Sequence, residues 1–156
     1  MAYRPQQNRN RNDGPPPADR DFEQWLKENI NLREPSRELF DTHAQTIAGI
    51  LRPDQTKRRS SNKRSQIRRF YDEMLRFEAE LRRADNETFN RRLPFLRMLN
   101  ARAAYAAERK AEGGTLVDRN FTAFLKALLD QVVDHTTLKN ACTLFEAVIG
   151  FSPRDN

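Results

Sequence analysis

Residues 63–83 read KRSQIRRFYDEMLRFEAELRR. Ile67, Phe70, Tyr71, Met74, Phe77 and Leu81 recur at the 3.6-residue period, which predicts a helix from about Lys63 to Arg83 with one apolar stripe. The rest of its circumference is charged. Such a helix covers a core on one side and meets water on the other. Nothing elsewhere in the chain alternates at period 2 for long enough to argue for a strand, so the fold class is set by helices packing on helices.

Working toward the C-terminus, Asp85 or Asn86 is placed to cap a following segment. Arg92-Leu93-Pro94 reads as a break, and Pro94 as the first residue of a new helix to about Ala111, where a missing N–H costs nothing. Phe95, Leu96, Met98, Leu99, Ala103, Ala106 and Ala107 make that helix apolar over more than half its circumference, which predicts burial in the middle of a bundle. Gly113-Gly114 stops it. A fifth helix is predicted over about Asp118 to Val133, and a sixth over about Thr136 to Gly150, with Gly150 as its C-cap. Toward the N-terminus, 53–62 (PDQTKRRSSN) reads as a loop. Ser36 is placed to cap a helix through Leu39, Phe40, Ile47, Ile50 and Leu51, and Asp21 one through Phe22, Trp25, Leu26 and Ile30. Residues 1–20, rich in Arg, Asn, Gln and Pro, read as a disordered tail. The expectation is an all-α protein: a single compact helical bundle of five to six helices over 21–153, preceded by that tail.

Hydrophobic residues make up 37% of the 156, below the roughly 45–50% of globular domains, so part of the chain lies outside any core. The net charge is +6, and residues 52–83 alone carry an excess of that size. Arg predominates over Lys there, and its planar fork suits phosphate oxygens and stacking on bases. Lys57 to Arg69 holds seven basic residues in thirteen with no acid. This segment crosses a loop into a helix N-terminus, where backbone N–H groups also favour phosphate. Ser60, Ser61, Asn62, Ser65 and Gln66 offer neutral hydrogen bonds to phosphate or ribose. At about 100° per residue from Ile67, Arg64 and Arg68 flank the apolar stripe, whereas Arg69, Arg76 and Arg83 repeat on the opposite side. The first pair is expected to line a shaped groove. The second row reads as a solvated face partly neutralised by Asp72 and Glu73. In the Ala-rich helix, Arg102 and Arg109 lie beside Met98 and Tyr105.

No catalytic constellation stands out. His43 and His135 are far apart and in no metal-ligand spacing, and His135 reads as an exposed residue at a helix start. Cys142 lies on the apolar stripe of its helix and reads as a structural thiol. As the sole cysteine it fits a reducing compartment, and no apolar stretch approaches the length of a membrane span. A cytoplasmic, non-enzymatic protein is expected, with no cofactor, metal or small-molecule substrate and no membrane contact. A helical DNA-binding regulator and a protein adaptor with a solvated basic face compete with an RNA-binding subunit.

Three motifs, taken in order, resemble one family. Ser65-Gln66-Ile67-Arg68-Arg69-Phe70-Tyr71 opens a long helix. Leu93-Pro94 then leads to Leu99-Asn100-Ala101-Arg102-Ala103-Ala104-Tyr105-Ala106-Ala107-Glu108-Arg109, and Leu144-Phe145-Glu146-Ala147-Val148-Ile149-Gly150-Phe151 closes the chain. The chain from Leu39 to Pro153 is similar to the small subunit of type III-A CRISPR effector complexes, the Csm complexes. The resemblance implies a non-catalytic helical bundle. Copies of it would line up with one another, with the backbone subunits and with the large subunit, holding crRNA and target RNA in a basic groove. By position, the family's basic helix start falls on Arg68 and Arg69. Its basic residue in the Ala-rich helix falls on Arg102, with Arg97 and Arg109 as neighbours. The sequence departs from the family in its long N-terminal tail and in Asn62-Lys63-Arg64, which makes Lys63 and Arg64 extra contacts of this chain.

Overall fold

Aspartates start most of the helices. Asp19, Asp85, Asp118 and Asp134 each accept a backbone N–H of the helix that follows, from Asp21, Thr88, Phe121 and Thr137. Each such cap satisfies a donor that the helix itself leaves unpaired, and contributes about 1 kcal/mol. At Asp134 the cap is reciprocal: the Thr137 hydroxyl lies 3.0 Å from the Asp134 backbone nitrogen.

The computed structural model describes residues 19–53, 61–111 and 114–154. Six helices occur among them: α1 (Arg20–Asn29), α2 (Thr42–Leu51), α3 (Arg64–Leu81), α4 (Asn86–Glu108), α5 (Arg119–Gln131) and α6 (His135–Phe151). Between α4 and α5, β1 (Lys110–Ala111) pairs antiparallel with β2 (Gly114–Thr115). The all-α bundle is thus as expected, apart from this ribbon, whose two-residue strands are too short to leave an alternation in the sequence. The tail expected over 1–20 lies outside the described residues up to position 18.

α6 packs on α2, α3 and α5, and α5 on α1, α2 and α4. Rings weld these helices together. The Phe145 ring lies 5.5 Å from Tyr71 and from Phe124 and 6.1 Å from Phe121, while Phe70 meets Phe121 at 5.1 Å. Each large apolar side chain removed from water stabilises the fold by roughly 1.5–3 kcal/mol before entropy is counted. Side-chain amides fasten α1 and the chain after it: Gln131 donates to the Ile30 carbonyl and accepts from the Leu32 N–H, and Asn140 donates to the Leu32 carbonyl.

Several boundaries differ from expectation. Asp19, not Asp21, caps α1. Residues 37–41 form a turn, held by i to i+3 bonds such as Leu39 N to Ser36 O, so α2 starts at Thr42 and not after Ser36. Leu39 is still fully buried from that turn. α4 runs unbroken through Pro94. Proline there leaves the Asn90 carbonyl without its helical donor, but both residues are exposed and water can replace it, while Phe89, Leu96 and Leu99 are buried to either side. α6 passes through Gly150 to Phe151, and Ser152 is its C-cap.

α4 is also not enclosed. It rests on α5 and α3 along one arc, burying Leu96, Leu99, Ala103, Ala106 and Ala107. Its outer arc leaves Phe95, Met98 and Tyr105 57%, 55% and 68% exposed. Phe95 and Met98 made the apolar arc look wider than the arc that packs.

Candidate nucleic-acid interface

The start of α3 is positioned by one residue. Asn62 is 2% exposed and adopts a left-handed backbone (φ 66°), which asparagine tolerates better than most residues. Its Nδ2 donates to the Leu51 carbonyl, its Oδ1 accepts from the Asp118 N–H at 2.9 Å, and its own N–H donates to the Leu116 carbonyl. Ser61 bonds Thr115 beside it. The end of α2, the start of α3, the β-ribbon and the start of α5 therefore meet at Asn62. Asn62 and Ser61 are spent on this junction and are not the phosphate donors that the sequence suggested.

From the junction, α3 and α4 run in opposite senses, as the ion pairs Glu80–Arg92 (3.0 Å) and Glu73–Arg102 (3.7 Å) require. Between them lies an open groove of about 520 Å³. Gln66, Arg69, Phe70, Asp72, Glu73 and Arg76 line it from α3. Leu99, Arg102, Tyr105 and Ala106 line it from α4, and Arg109 and Leu116 close it at the ribbon end. Four guanidinium groups face two carboxylates, so the lining carries an excess of two positive charges. Glu73 sits between Arg76 (3.4 Å) and Arg102 and orients both. These Arg side chains are 74% and 62% exposed, so each pair is worth well under about 1 kcal/mol and leaves the cations open to a competing anion.

The structure brings together Arg69, Arg102 and Arg109 of the residues singled out from sequence, and separates the others. Arg68 lies on the α6 side of α3, near enough to Tyr71 to oppose the rise in that phenol's pKa caused by burial and Glu146. Half-buried Arg64 lies one turn back from Arg68 along α3. Lys63 is the exposed N-cap of α3. Arg97 is exposed on α4, about 140° around the axis from Arg102. Lys57, Arg58, Arg59 and Ser60 lie outside the described residues. Of the row read as a solvated face, Arg69 and Arg76 line this groove, because α4 stands against that side of α3, while Arg64 and Arg68 do not line it.

Sequence reasoning missed Arg76 as a groove cation, and Glu73 as its anchor. A signal existed. Glu80/Arg92 and Glu73/Arg102 are placed almost symmetrically about the α3–α4 connection, as charge pairs across a helical hairpin must be.

Elsewhere the chemistry is quiet. Cys142 is buried, and burial together with Glu78 and Glu146 pushes its thiol up to about 12, which suppresses the reactive thiolate. His135 is half-buried with its ring 4.9 Å from that of Phe89, and His43 packs edge-on to Trp25. Among the described residues no group of His, Cys, Asp and Glu is arranged to hold a metal ion, and no helix is long and apolar enough to cross a membrane.

A family model, Csm2 of type III-A, matches residues 34–152, well over half of the chain. The chain belongs to the Csm2 type III-A family. It is thus a small subunit of the Csm complex in type III-A CRISPR defence, where other subunits are its partners. The matched span contains the whole α3–α4 groove, and α1 lies before it. No curated protein and no solved structure matches the chain.

Proposed function

We propose that this Csm2 protein is a non-catalytic subunit that holds crRNA and target RNA through the α3–α4 groove. The observation that carries this reading is the convergence of Arg69 and Arg76 from α3, Arg102 from α4 and Arg109 just beyond its end on one open channel. Phosphates passing along it displace exposed carboxylate partners and gain bidentate contacts, independent of base sequence. Arg64, Arg68 and Arg97, on other faces, serve as secondary contacts, and Lys63 extends the basic surface at the helix start. Neighbouring copies and the backbone and large subunits bound the channel in the assembled complex, and the work is done in the cytoplasm.

The full chain should bind single-stranded RNA with an affinity that falls steeply with salt. Arg69→Ala with Arg102→Ala should weaken binding and lower the slope of log affinity against log salt by roughly 0.7 for each phosphate left unneutralised. Arg64→Ala with Arg68→Ala should have the smaller effect. Wild-type affinity and slope in the Arg69/Arg102 double variant would refute the groove. The adaptor reading draws on the exposed Phe95 and Met98, and it alone predicts unchanged RNA binding after charge reversal at Arg69, Arg102 and Arg109.

A further inference from the structure

Tyr105 is the most exposed large hydrophobic residue of the chain's described part, at 68%, although its helix is one of the two that build the groove. Arg102 lies one turn before it on the same face of α4, and Arg109, the C-cap of that helix, follows four residues after it and lines the same groove. Leu99 and Ala106 lie beside it in the groove lining. Among the described residues no aromatic ring packs on it. A tyrosine serving the core would be covered, as Tyr71 is at 9% exposure against Phe145. Tyr105 instead offers a bare π-face between two guanidinium groups.

We infer that Tyr105 is a stacking platform for an unpaired nucleobase, and that it makes the groove prefer single-stranded RNA to duplex. This rests on the groove being the RNA site. In a duplex each base face is covered by its neighbours, so the ring can reach only a base that is unstacked, at an end, a break or a free strand. Arg102 and Arg109 would then take the phosphates to either side, and the three residues form one nucleotide-sized unit along α4. Stacking tolerates any base, which suits a subunit that must accept whatever target the guide selects. Flanking charge favours RNA over an apolar protein segment, which would bring no anion to the two guanidinium groups beside it.

The test titrates the full-length wild type, Tyr105→Phe, Tyr105→Leu and Tyr105→Ala with one short labelled RNA, single-stranded and annealed to its complement. The expected result is that Phe keeps wild-type affinity. Leu and Ala lose roughly tenfold on the single strand. Their salt slope stays that of the wild type, since no charge is removed. On duplex all four proteins bind alike. Wild-type affinity of the Ala variant for the single strand overturns the inference, and is the outcome expected if a protein partner covers the ring. Equal losses on both RNAs, or a Leu variant as good as Tyr, also overturn it. In those cases a lowered slope for the Arg69/Arg102 variant leaves the groove standing and removes only the stacking. No RNA binding by the wild type removes both.

Discussion

α6 and α4 make opposite use of an apolar helix. α6 buries eight residues, including Phe145, Val148 and Cys142, and three other helices rest on it. α4 is longer, at 23 residues against 17, yet buries six and keeps Phe95, Met98 and Tyr105 in water. The contrast separates two uses of hydrophobic side chains. Those of α6 are spent on the fold. Those of the outer α4 face add little to the core, Phe95 meeting the Arg92 guanidinium over its ring, and they lie beside the residues that gather positive charge. Exposed apolar side chains of this kind are what both the proposed RNA contact and the adaptor reading draw on.

The sharpest way to break the contrast is Phe145→Ala. It removes the ring that touches Tyr71, Phe121 and Phe124, and should cost about 3–5 kcal/mol in chemical denaturation. A loss below about 1 kcal/mol would mean that α6 is not the central element. Next comes Asn62→Ala, which strands the Leu51 carbonyl and the Asp118 N–H and forces alanine into left-handed backbone. It should cost about 2–4 kcal/mol in thermal unfolding, with Asn62→Gly recovering about 1 of these because only the backbone strain is relieved. The smallest effect belongs to the open face. Met98→Ala should change stability by less than about 0.5 kcal/mol, and a loss of about 2 or more would show that the outer arc of α4 is packed after all.

The same contrast explains what the sequence revealed. Helical period alone located all six helices, because each buries a stripe and the stripe is the signal. It could not place the groove. The phase of Arg69 is known only relative to the stripe of its own helix, and α3 has neighbours on two sides, α6 and α4. Which margin is solvated depends on where the second neighbour stands. The period also misjudged α4, since Phe95 and Met98 count as apolar whether or not anything packs on them, and both are exposed. Pro94 misled for a related reason: the missing hydrogen bond is real, but its cost depends on whether the orphaned carbonyl meets water. Asn62 was invisible because its role lies in pairing residues 54 and 56 positions further along the chain.

The bond from Asn62 Nδ2 to the Leu51 carbonyl clasps two points of the chain eleven residues apart. Lys57, Arg58 and Arg59 fall in sequence between the two clasped points. Doubling the length of chain between two fixed points costs only about 0.6 kcal/mol of closure entropy. The segment can therefore gain or lose residues, and with them charge, while the bundle and the groove keep their shape. An evolving lineage could retune how strongly the subunit attracts a polyanion there without disturbing the packing of the core.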